Sequence, residues 1–368
     1  MSTPIKHPYK IQKSQIFDAT YVFIDGMSRS GKSGIAPIVS SLENVEHFKI
    51  RANFDRFLMV YASGNLTKDG FKYLFETDLI LDVWFGMMGR DVNTNLHDIS
   101  SIVNSPKYKE YLSRMSRKDT LDTFNKVANE IKDRKLIFPF IIDNYMTIGS
   151  FIEEINENFK YIIVVRHPID FVFTWFRSGR GSSLGTNPYY IKPAFQVKNF
   201  DNIPYLYLDN PEEYSNANPL EKCFLVIEKQ LTAYINSNLL YSKNSCLVPF
   251  EHYVNETEGY IKKFENLLGT NRTNFTNAEM VKANVPRNKD MDTFSKKANM
   301  IFDNMNKIYV DRLIKLSELY ERKISGFYKL NLITKYPEGK FKGLSFDEFS
   351  KVSGHSLYHK GKRSTEKK

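Results

Sequence analysis

The sequence has few cysteines and no long apolar runs. Among its 368 residues only Cys223 and Cys246 are cysteines, too few for a disulfide framework or a four-ligand cysteine zinc site. No apolar stretch approaches the roughly 20 residues that a membrane-spanning helix needs. The first residues, MSTPIKHPYK, lack the apolar core of a secretion signal. These absences predict a soluble protein of the cytoplasm with no membrane span.

The composition is that of a globular protein with a basic C-terminus. Hydrophobic residues make up 42% and charged residues 26% of the chain, which provides enough apolar surface for a large core. The formal net charge is +10, and half of it falls on the residues from 351 onward. We predict one domain over residues 1–345 and a basic, disordered tail over 346–368. We interpret the tail as solubilising rather than as an arm for nucleic acid or a membrane surface. The oligomeric state stays open.

Four short runs of β-branched and aromatic residues predict strands buried on both faces, as in a parallel sheet. Each run is followed by a segment with a helical pattern, which predicts a three-layer, doubly wound α/β fold. The predicted strands are Tyr21–Asp25, Phe140–Asp143, Tyr161–Val165 and Cys246–Pro249, and the predicted helices are Ser33–Leu42, Ile148–Asn158, Asp170–Phe176 and Thr257–Leu268.

The segments between these elements are interpreted from composition and pattern. Residues 53–135 show helical patterns without clear strands and predict a helical insertion over the functional edge of the sheet. Gly179–Asn218 is rich in Gly, Ser, Asn, Pro and Tyr and predicts a long loop or lid. Asp292–Tyr328 predicts one or two amphipathic helices. Pro139 lacks an N–H donor, so we predict that it marks the start of its strand.

The first predicted strand leads into Gly26-Met-Ser-Arg-Ser-Gly-Lys-Ser33, which satisfies the phosphate-loop pattern G-x-x-x-x-G-K-[ST]. Small residues let successive backbone N–H groups turn inward at a helix N-terminus and form a nest for an anion. The loop therefore predicts a phosphorylated ligand and a fold of the P-loop kinase-like type. Arg29 adds a guanidinium that can donate charge-assisted hydrogen bonds to phosphate or sulfate oxygens. The residues predicted to bind this ligand are Gly26, Ser28, Arg29, Ser30, Gly31, Lys32 and Ser33.

A second basic segment follows the predicted strand at Tyr161. Arg166 stands at the carboxyl end of that strand, where doubly wound sheets bind their ligands. Pro168 suits the first turn of a helix, because a backbone N–H at that position has no partner within the helix in any case. A helix that begins at Pro168 carries Thr174 on a later turn. Arg166 and Thr174 therefore predict a second anion-binding point at the same edge of the sheet.

These segments resemble the sulfotransferases that use 3′-phosphoadenosine-5′-phosphosulfate (PAPS). Arg166, Pro168 and Thr174, in this spacing, look like the family's 3′-phosphate-binding segment. Arg29–Ser33 is similar to its 5′-phosphosulfate loop, although Lys32 stands where the family usually has Thr or Ser. Leu247–Tyr253, with Glu251, looks like its late strand and acidic turn, and Ile261–Gly269 looks like the helix that follows.

The resemblance implies a PAPS-dependent sulfotransferase that requires no metal and transfers a sulfuryl group to a hydroxyl or amine. The acceptor would be a small molecule or a glycan. By resemblance, the loop holds the 5′-phosphosulfate, while Arg166 and Thr174 hold the 3′-phosphate. Lys32 is the candidate for stabilising charge on the bridging oxygen during in-line transfer.

The general base stays open at this point. His97 precedes Asp98 in a polar cluster of the predicted insertion, and a His beside an acid can titrate near neutral pH. Asp55 is the rival candidate; it lies shortly after a further strand, without defined bounds, that we expect to be the second in chain order. Further candidates near the sheet edge are His167 and His252 as bases and Arg90 as a ligand for an anionic acceptor.

Two other functions remain open. A P-loop kinase would use Asp143, at the end of the predicted Phe140–Asp143 strand, as a Mg²⁺ ligand, with Arg177 and Arg180 as lid arginines. That reaction has no evident use for Arg166 and Thr174 in their spacing. A nucleotide-binding protein without catalytic activity would bind the same ligand but turn over no acceptor.

Overall fold

A central sheet of parallel strands organises the chain. The structure, a computed structural model, describes residues 17–152, 159–187, 192–288 and 291–328. Its strands are β1 (Thr20–Asp25), β2 (Lys49–Ile50), β3 (Ile137–Ile141), β4 (Phe159–Val165), β5 (Phe195–Val197), β6 (Phe200–Ile203) and β7 (Ser245–Pro249). The parallel sheet has the order β2-β3-β1-β4-β7, while β5 and β6 form a separate antiparallel pair.

Helices connect the strands and cover both faces of the sheet. Within the described ranges, none of them combines the length and the apolar character needed to cross a bilayer. The α-helices are α1 (Lys32–Ser40), α2 (Ala52–Ala62), α3 (Lys68–Met87), α4 (Tyr108–Arg114), α5 (Leu121–Asp133), α6 (Pro168–Arg177), α7 (Pro211–Asn216), α8 (Pro219–Ile235), α9 (Phe250–Asn255), α10 (Thr257–Leu268), α11 (Asn274–Lys282), α12 (Met291–Asp303) and α13 (Lys307–Tyr320). Short 3-10 helices lie at Ile102–Asn104, Tyr145–Ile152, Arg180–Ser182, Tyr205–Tyr207 and Asn238–Tyr241, and a π-helical turn lies at Glu321–Ser325.

Alternate residues of β1 pack into two separate apolar layers. Tyr21 and Phe23 pack into the layer that contains α2, α3, α6, α8 and α13. Val22 and Ile24 pack into the opposite layer, with α1, α9 and α10. Successive side chains of a strand point to opposite faces, so a strand buried on both sides must be apolar throughout. The predicted three-layer, doubly wound α/β fold is confirmed.

The position of β1 at the centre of the sheet determines where the site forms. β1 pairs with β3 on one side and with β4 on the other, both in parallel. Because parallel strands end at the same edge, the residues after these three strands come together. That edge therefore receives the loop from Gly26, the turn at Asp143 and Arg166.

Pro139 lies inside β3, so the prediction that it starts the strand is wrong. It pairs in register with Val22 of β1. On the other side of β3, Val45 forms an isolated bridge with Ile137, and Lys49 of β2 pairs with Phe140. Pro139 stands between these two contacts, where no ladder hydrogen bond requires its missing N–H.

Two predicted segments contain more structure than the sequence indicated, and others lie outside the described residues. Residues 53–135 contain most of α2, all of α3, α4 and α5, and a 3-10 helix. Phe54 and Phe75 pack on Phe140 and Phe23 of the sheet, with ring centroids 6.0 and 5.6 Å apart. The predicted lid, Gly179–Asn218, includes the β5–β6 pair and α7. The predicted helix at Ile148–Asn158 begins as part of a 3-10 helix, and its residues 153–158, like the predicted C-terminal tail, lie outside the described ranges.

Candidate functional site

The phosphate loop joins β1 to α1, and its conformation requires glycine at two positions. Gly26 and Gly31 have φ values of 156° and 115°. A Cβ on Gly26 would lie 2.3 Å from the carbonyl oxygen of Val164, and one on Gly31 would lie 2.3 Å from the ring of Phe250. Any side chain at these positions would clash as well as strain the backbone. Arg29 also adopts a positive φ, 71°.

The N-terminus of α1 is open toward the loop. Gly31 is the N-cap residue and provides no side-chain capping hydrogen bond. The first N–H groups of a helix have no partner within the helix, so they are available to an anion at this point. Ser30 is fully buried, and its hydroxyl has no hydrogen-bond partner within the described residues. Ser33 is exposed on the first turn of α1. An uncapped helix N-terminus fits a phosphate or a sulfate group.

Ser28 ties the loop to the helix that follows β4. Its carbonyl oxygen accepts a hydrogen bond of 2.7 Å from the indole N–H of Trp175. Its hydroxyl accepts one of 2.8 Å from Nη2 of Arg180. The guanidinium of Arg180 also lies over the Trp175 ring, 5.3 Å from its centroid. These contacts place a second arginine, which the sulfotransferase resemblance did not indicate, beside the loop.

Lys32 is held by a carboxylate from the neighbouring strand. Its ammonium donates to Asp143 and to the carbonyl oxygen of Gly26, and lies 3.5 Å from that of Met27. Lys192 lies 3.9 Å from the other carboxylate oxygen of Asp143. Burial alone would raise the pKa of Asp143, but the charges of Lys32 and Lys192 outweigh it and lower this pKa. Asp143 is therefore an ionised partner for the loop lysine.

Asp55 contacts the same turn from the first turn of α2. Its Oδ1 accepts a hydrogen bond of 2.7 Å from the backbone N–H of Asp143. Burial, and then the nearby charge of Asp143, raise the pKa of Asp55 well above its ordinary value. Of the base candidates, Asp55 is thus the one that the described contacts connect to the loop, through Asp143 and Lys32. A carboxylate with a raised pKa is a stronger base than an ordinary one, which suits it to taking a proton.

Arg166 faces the phosphate loop. Its Nη1 donates a hydrogen bond of 3.3 Å to the carbonyl oxygen of Arg29. Its Nε lies 3.7 Å from Oδ2 of Asp170, one turn further along α6, and its guanidinium lies over the Phe250 ring at 5.1 Å from the centroid. The structure therefore brings together the loop and the second basic segment that the sequence identified.

Arg287 joins this cluster, and no sequence motif indicated it. Its guanidinium lies over the same Phe250 ring, 5.9 Å from the centroid. Burial, and to a smaller extent the positive charge of Arg166, lower the pKa of Arg287. Two guanidinium groups crowded on one aromatic ring form a site that favours an anion. The sequence around Arg287 resembles no phosphate motif, so only the fold reveals this contact.

Thr174 and the histidines occupy other positions. The hydroxyl of Thr174 donates to the carbonyl oxygen of Asp170 at 2.7 Å, within its own helix. His97 is exposed, and its backbone N–H donates to the Asn95 side chain; within the described ranges no hydrogen bond or ion pair joins it to Lys32 or Asp143. His167 is fully buried, and Nε2 of His252 lies 2.7 Å from the carbonyl oxygen of Ser325.

The other polar residues singled out from the sequence are accounted for by packing. Arg90 forms an exposed ion pair of 2.7 Å with Asp119. Glu251 is fully buried and accepts a hydrogen bond of 2.6 Å from Tyr320, which fits the structural role that the late turn suggested. The fold thus assembles Arg29, Lys32 and Arg166 with Asp55 and Asp143 at one edge of the sheet.

Comparisons with known proteins give one kind of match. No protein-family model and no curated protein matches this chain. Among solved structures, the chain is similar to a sulfotransferase from Alicyclobacillus acidocaldarius, with a TM-score of 0.36, 13% identity and coverage of 82% of this chain and 97% of the other. A mouse sulfotransferase complexed with PAP gives a TM-score of 0.32, 12% identity and coverage of 85% and 88%. A retinol dehydratase in a complex with retinol and PAP gives a TM-score of 0.30, 12% identity and coverage of 86% and 83%. Scores and identities this low establish neither a family nor an activity for this chain.

Proposed function

We propose that this protein is a sulfotransferase that moves a sulfuryl group from PAPS to a hydroxyl or amine of a small-molecule or glycan acceptor. The observation that carries the proposal is the contact between Arg166 and the carbonyl oxygen of Arg29. It joins an open helix N-terminus to a separate pair of guanidinium groups. A ligand with anionic groups at both ends of a nucleoside matches that arrangement better than one with a single phosphate chain.

The residues at the edge of the sheet fit such a donor. The backbone N–H groups of Gly31, Lys32 and Ser33, at the start of α1, would bind the 5′-phosphosulfate, together with Arg29. Arg166 and Arg287 would bind the 3′-phosphate, with Asp170 orienting Arg166. Phe250 lies between these groups, against Gly31, and offers an aromatic face to the adenine. The role of Thr174 in this pocket stays a proposal taken from the resemblance.

Lys32 and Asp55 would supply the chemistry. In-line transfer builds negative charge on the oxygen that leaves with the donor nucleotide, and a nearby ammonium stabilises that charge. Lys32 would change partner from Asp143 to this oxygen. Asp55 would accept the proton of the acceptor hydroxyl as the oxygen–sulfur bond forms. His97 remains a rival for the second role only if the loop that carries it approaches the site when the acceptor binds.

The burial of the side chains beside the loop indicates which of them can face an acceptor. Tyr207, in the predicted lid, is fully buried and donates a hydrogen bond of 3.0 Å to the carbonyl oxygen of Leu225. Tyr205 is partly buried and lines a small cavity of about 30 Å³ with Arg180 and Lys192. We therefore propose Arg180 and Lys192, rather than Tyr207, as the groups that face the acceptor. Their charge favours an acceptor that carries an anionic group.

Phosphoryl transfer from ATP is the second candidate, and one observation favours it. Asp143 follows β3, directly beside the strand that leads into the loop, and it pairs with Lys32. A carboxylate at that place is where a P-loop kinase holds Mg²⁺. A kinase, however, needs no pair of arginines at Phe250, which is why we prefer sulfuryl transfer.

Incubation of the full-length protein with ³⁵S-labelled PAPS and panels of phenolic, sterol and glycan acceptors tests the proposal. We expect label to be transferred to at least one acceptor class, and transfer to be lost in Lys32→Ala. Transfer from γ-labelled ATP with Mg²⁺, and none from PAPS, would support the kinase instead.

A further inference from the structure

Asp25 is a buried carboxylate with no direct part in the proposed binding of an anion at the phosphate loop. It is the last residue of β1, directly before the phosphate loop, and its side chain is 0% exposed. Burying a carboxylate is costly unless hydrogen bonds compensate for the lost water. The hydrogen bonds of Asp25 therefore indicate what the residue does.

Those hydrogen bonds go to the turn after β3. The carboxylate of Asp25 accepts one from the N–H of Met146 at 2.9 Å and one from the N–H of Tyr145 at 3.3 Å. The hydroxyl of Tyr234, on α8, lies 3.4 Å from both carboxylate oxygens. Asp25 thus fixes the distal half of the turn that carries Asp143.

The turn after β3 needs such hydrogen bonds from other elements to keep its conformation. Asn144 has a positive φ of 68°, is 0% exposed, and neither polar atom of its side chain has a hydrogen-bond partner within the described residues. A buried amide without partners and a left-handed backbone both cost free energy. Asp55 holds the proximal half of the turn through the N–H of Asp143. Two carboxylates from different elements therefore hold the turn from both ends, and between them the Asp143 carboxylate meets Lys32.

We propose that Asp25 is a positioning residue that holds Asp143 against Lys32, and that protonation of Asp25 releases this pair. The inference concerns the geometry of Lys32 and stands whichever anion the loop binds. The ionised carboxylate accepts two backbone hydrogen bonds and the tyrosine hydroxyl at once. The protonated acid keeps a good acceptor only on its carbonyl oxygen, so one of the N–H groups of Tyr145 and Met146 loses its hydrogen bond, while the acid O–H donates to the Tyr234 hydroxyl. In the loosened turn Asp25 stays buried without these N–H groups, which raises its pKa further, so protonation favours the loosened form.

The surroundings of Asp25 set the pH at which this happens. Burial raises the pKa of Asp25 to about 6, and Lys32 and the N–H groups of Met146, Gly26 and Tyr145 limit the rise. The carboxylate therefore changes charge between pH 5 and 7, in the range of ordinary cellular conditions. The titratable groups described near Asp25 or beside its partners are Lys32 on α1, Asp55 on α2, Asp78 on α3, Asp143 and Tyr145 on the turn, Tyr161 on β4, Tyr205 after β6 and Tyr234 on α8.

Two readouts on the ligand-free, full-length protein test the proposal. The first is hydrogen exchange of the Tyr145 and Met146 amides, expressed as protection relative to the unstructured rate. The second is acylation of Lys32 by an amine reagent, divided by that of the exposed Lys126 on α5 and mapped by mass spectrometry. In the wild type, we expect protection to fall about tenfold from pH 7 to pH 5, while the Lys32 ratio rises. Asp25→Asn, which mimics the protonated acid, should give low protection and a high ratio at both pH values.

Asp143→Asn is the matched control. It removes the carboxylate that meets Lys32 but keeps the ties to Asp25, so the amide protection should retain its pH dependence while the Lys32 ratio stays high. Wild-type protection and a wild-type pH profile of the Lys32 ratio in Asp25→Asn would overturn the proposal. If Asp25→Asn does not fold, Tyr234→Phe replaces it. Loss of that hydroxyl should move the midpoint of both readouts to higher pH, and an unmoved midpoint would overturn the proposal equally.

Discussion

The guanidinium of Arg166 donates a hydrogen bond from Nη1 to the carbonyl oxygen of Arg29, across 3.3 Å. The two residues are far apart in sequence, on the loop after β1 and at the end of β4. Their contact brings two basic segments together at one edge of the sheet. Asp170 supports it, since this buried acid also accepts a hydrogen bond of 2.7 Å from Lys297 of α12.

Arg166→Ala should weaken the binding of adenosine 3′,5′-bisphosphate by about tenfold to a hundredfold, because charge-assisted hydrogen bonds to one phosphate are lost. Isothermal titration calorimetry measures the change. Arg272→Ala, which removes an exposed arginine paired with Glu258 on the surface, is the control and should leave the affinity unaltered. Equal affinities in the wild type and in Arg166→Ala would remove Arg166 from the ligand pocket.

Lys32→Ala should lower turnover by about 100-fold to 1,000-fold, and should weaken the affinity for the bisphosphate much less. The reason is that the ammonium acts mainly on charge that develops during transfer, whereas backbone N–H groups hold the ground-state ligand. Single-turnover rates and equilibrium binding, measured side by side, separate the two effects. A loss confined to affinity would assign Lys32 to binding alone.

Asp55→Asn should reduce turnover by about 100-fold or more and abolish the rise of activity with pH. Burial and the charge of Asp143 raise the pKa of Asp55, so a wild-type enzyme that uses this base gains activity as the pH increases through that pKa. His97→Ala provides the comparison, and we expect wild-type rates and a wild-type pH profile. The opposite result, with activity lost only in His97→Ala, would identify His97 as the base.

The free energy of unfolding should depend on pH through Asp25, and the raised pKa of Asp25 gives the direction of that dependence. Its pKa is about 6 in the folded chain against an ordinary value of 3.8, so the folded state binds the proton more tightly than the unfolded state. The free energy of unfolding therefore decreases, relative to Asp25→Asn, as the pH rises from about 4 to about 6, by about 3 kcal/mol in total. Urea unfolding of both proteins over this pH range measures the difference. A difference that stays constant with pH would mean that the pKa of Asp25 is not raised.

Sequence reasoning identifies the parts of the fold and site that depend on local pattern. Apolar runs such as Tyr21–Asp25 predict buried parallel strands, because a strand covered on both faces has no polar side. The loop motif and the segment at Arg166 are recognisable because each has particular residue types at fixed spacings. A strand before Asp55 is expected, but the bounds of β2 are not, since two residues carry no periodicity. The β5–β6 pair escapes detection, because its three- and four-residue strands lie in a segment with the composition of a loop.

Contacts between distant segments are the part that sequence alone does not give. Asp55 and Asp143 were each singled out, for different functions, and nothing in the pattern indicates that the carboxylate of one accepts the N–H of the other. Arg287 follows the same rule, since its place over Phe250 depends on the segment after α11, where the Arg287 N–H donates to the carbonyl oxygen of Val254 on α9. The buried role of Asp25 likewise depends on a turn more than a hundred residues away.

The most direct test of the proposed function is thermal unfolding of the full-length protein with two ligands. Adenosine 3′,5′-bisphosphate without Mg²⁺ should raise the melting temperature by several degrees, because a ligand at 100 times its Kd stabilises the folded state by about 2.7 kcal/mol. ATP with Mg²⁺ should raise it much less. A large shift with ATP and Mg²⁺, and none with the bisphosphate, would contradict a pocket built for a nucleotide phosphorylated at both ends.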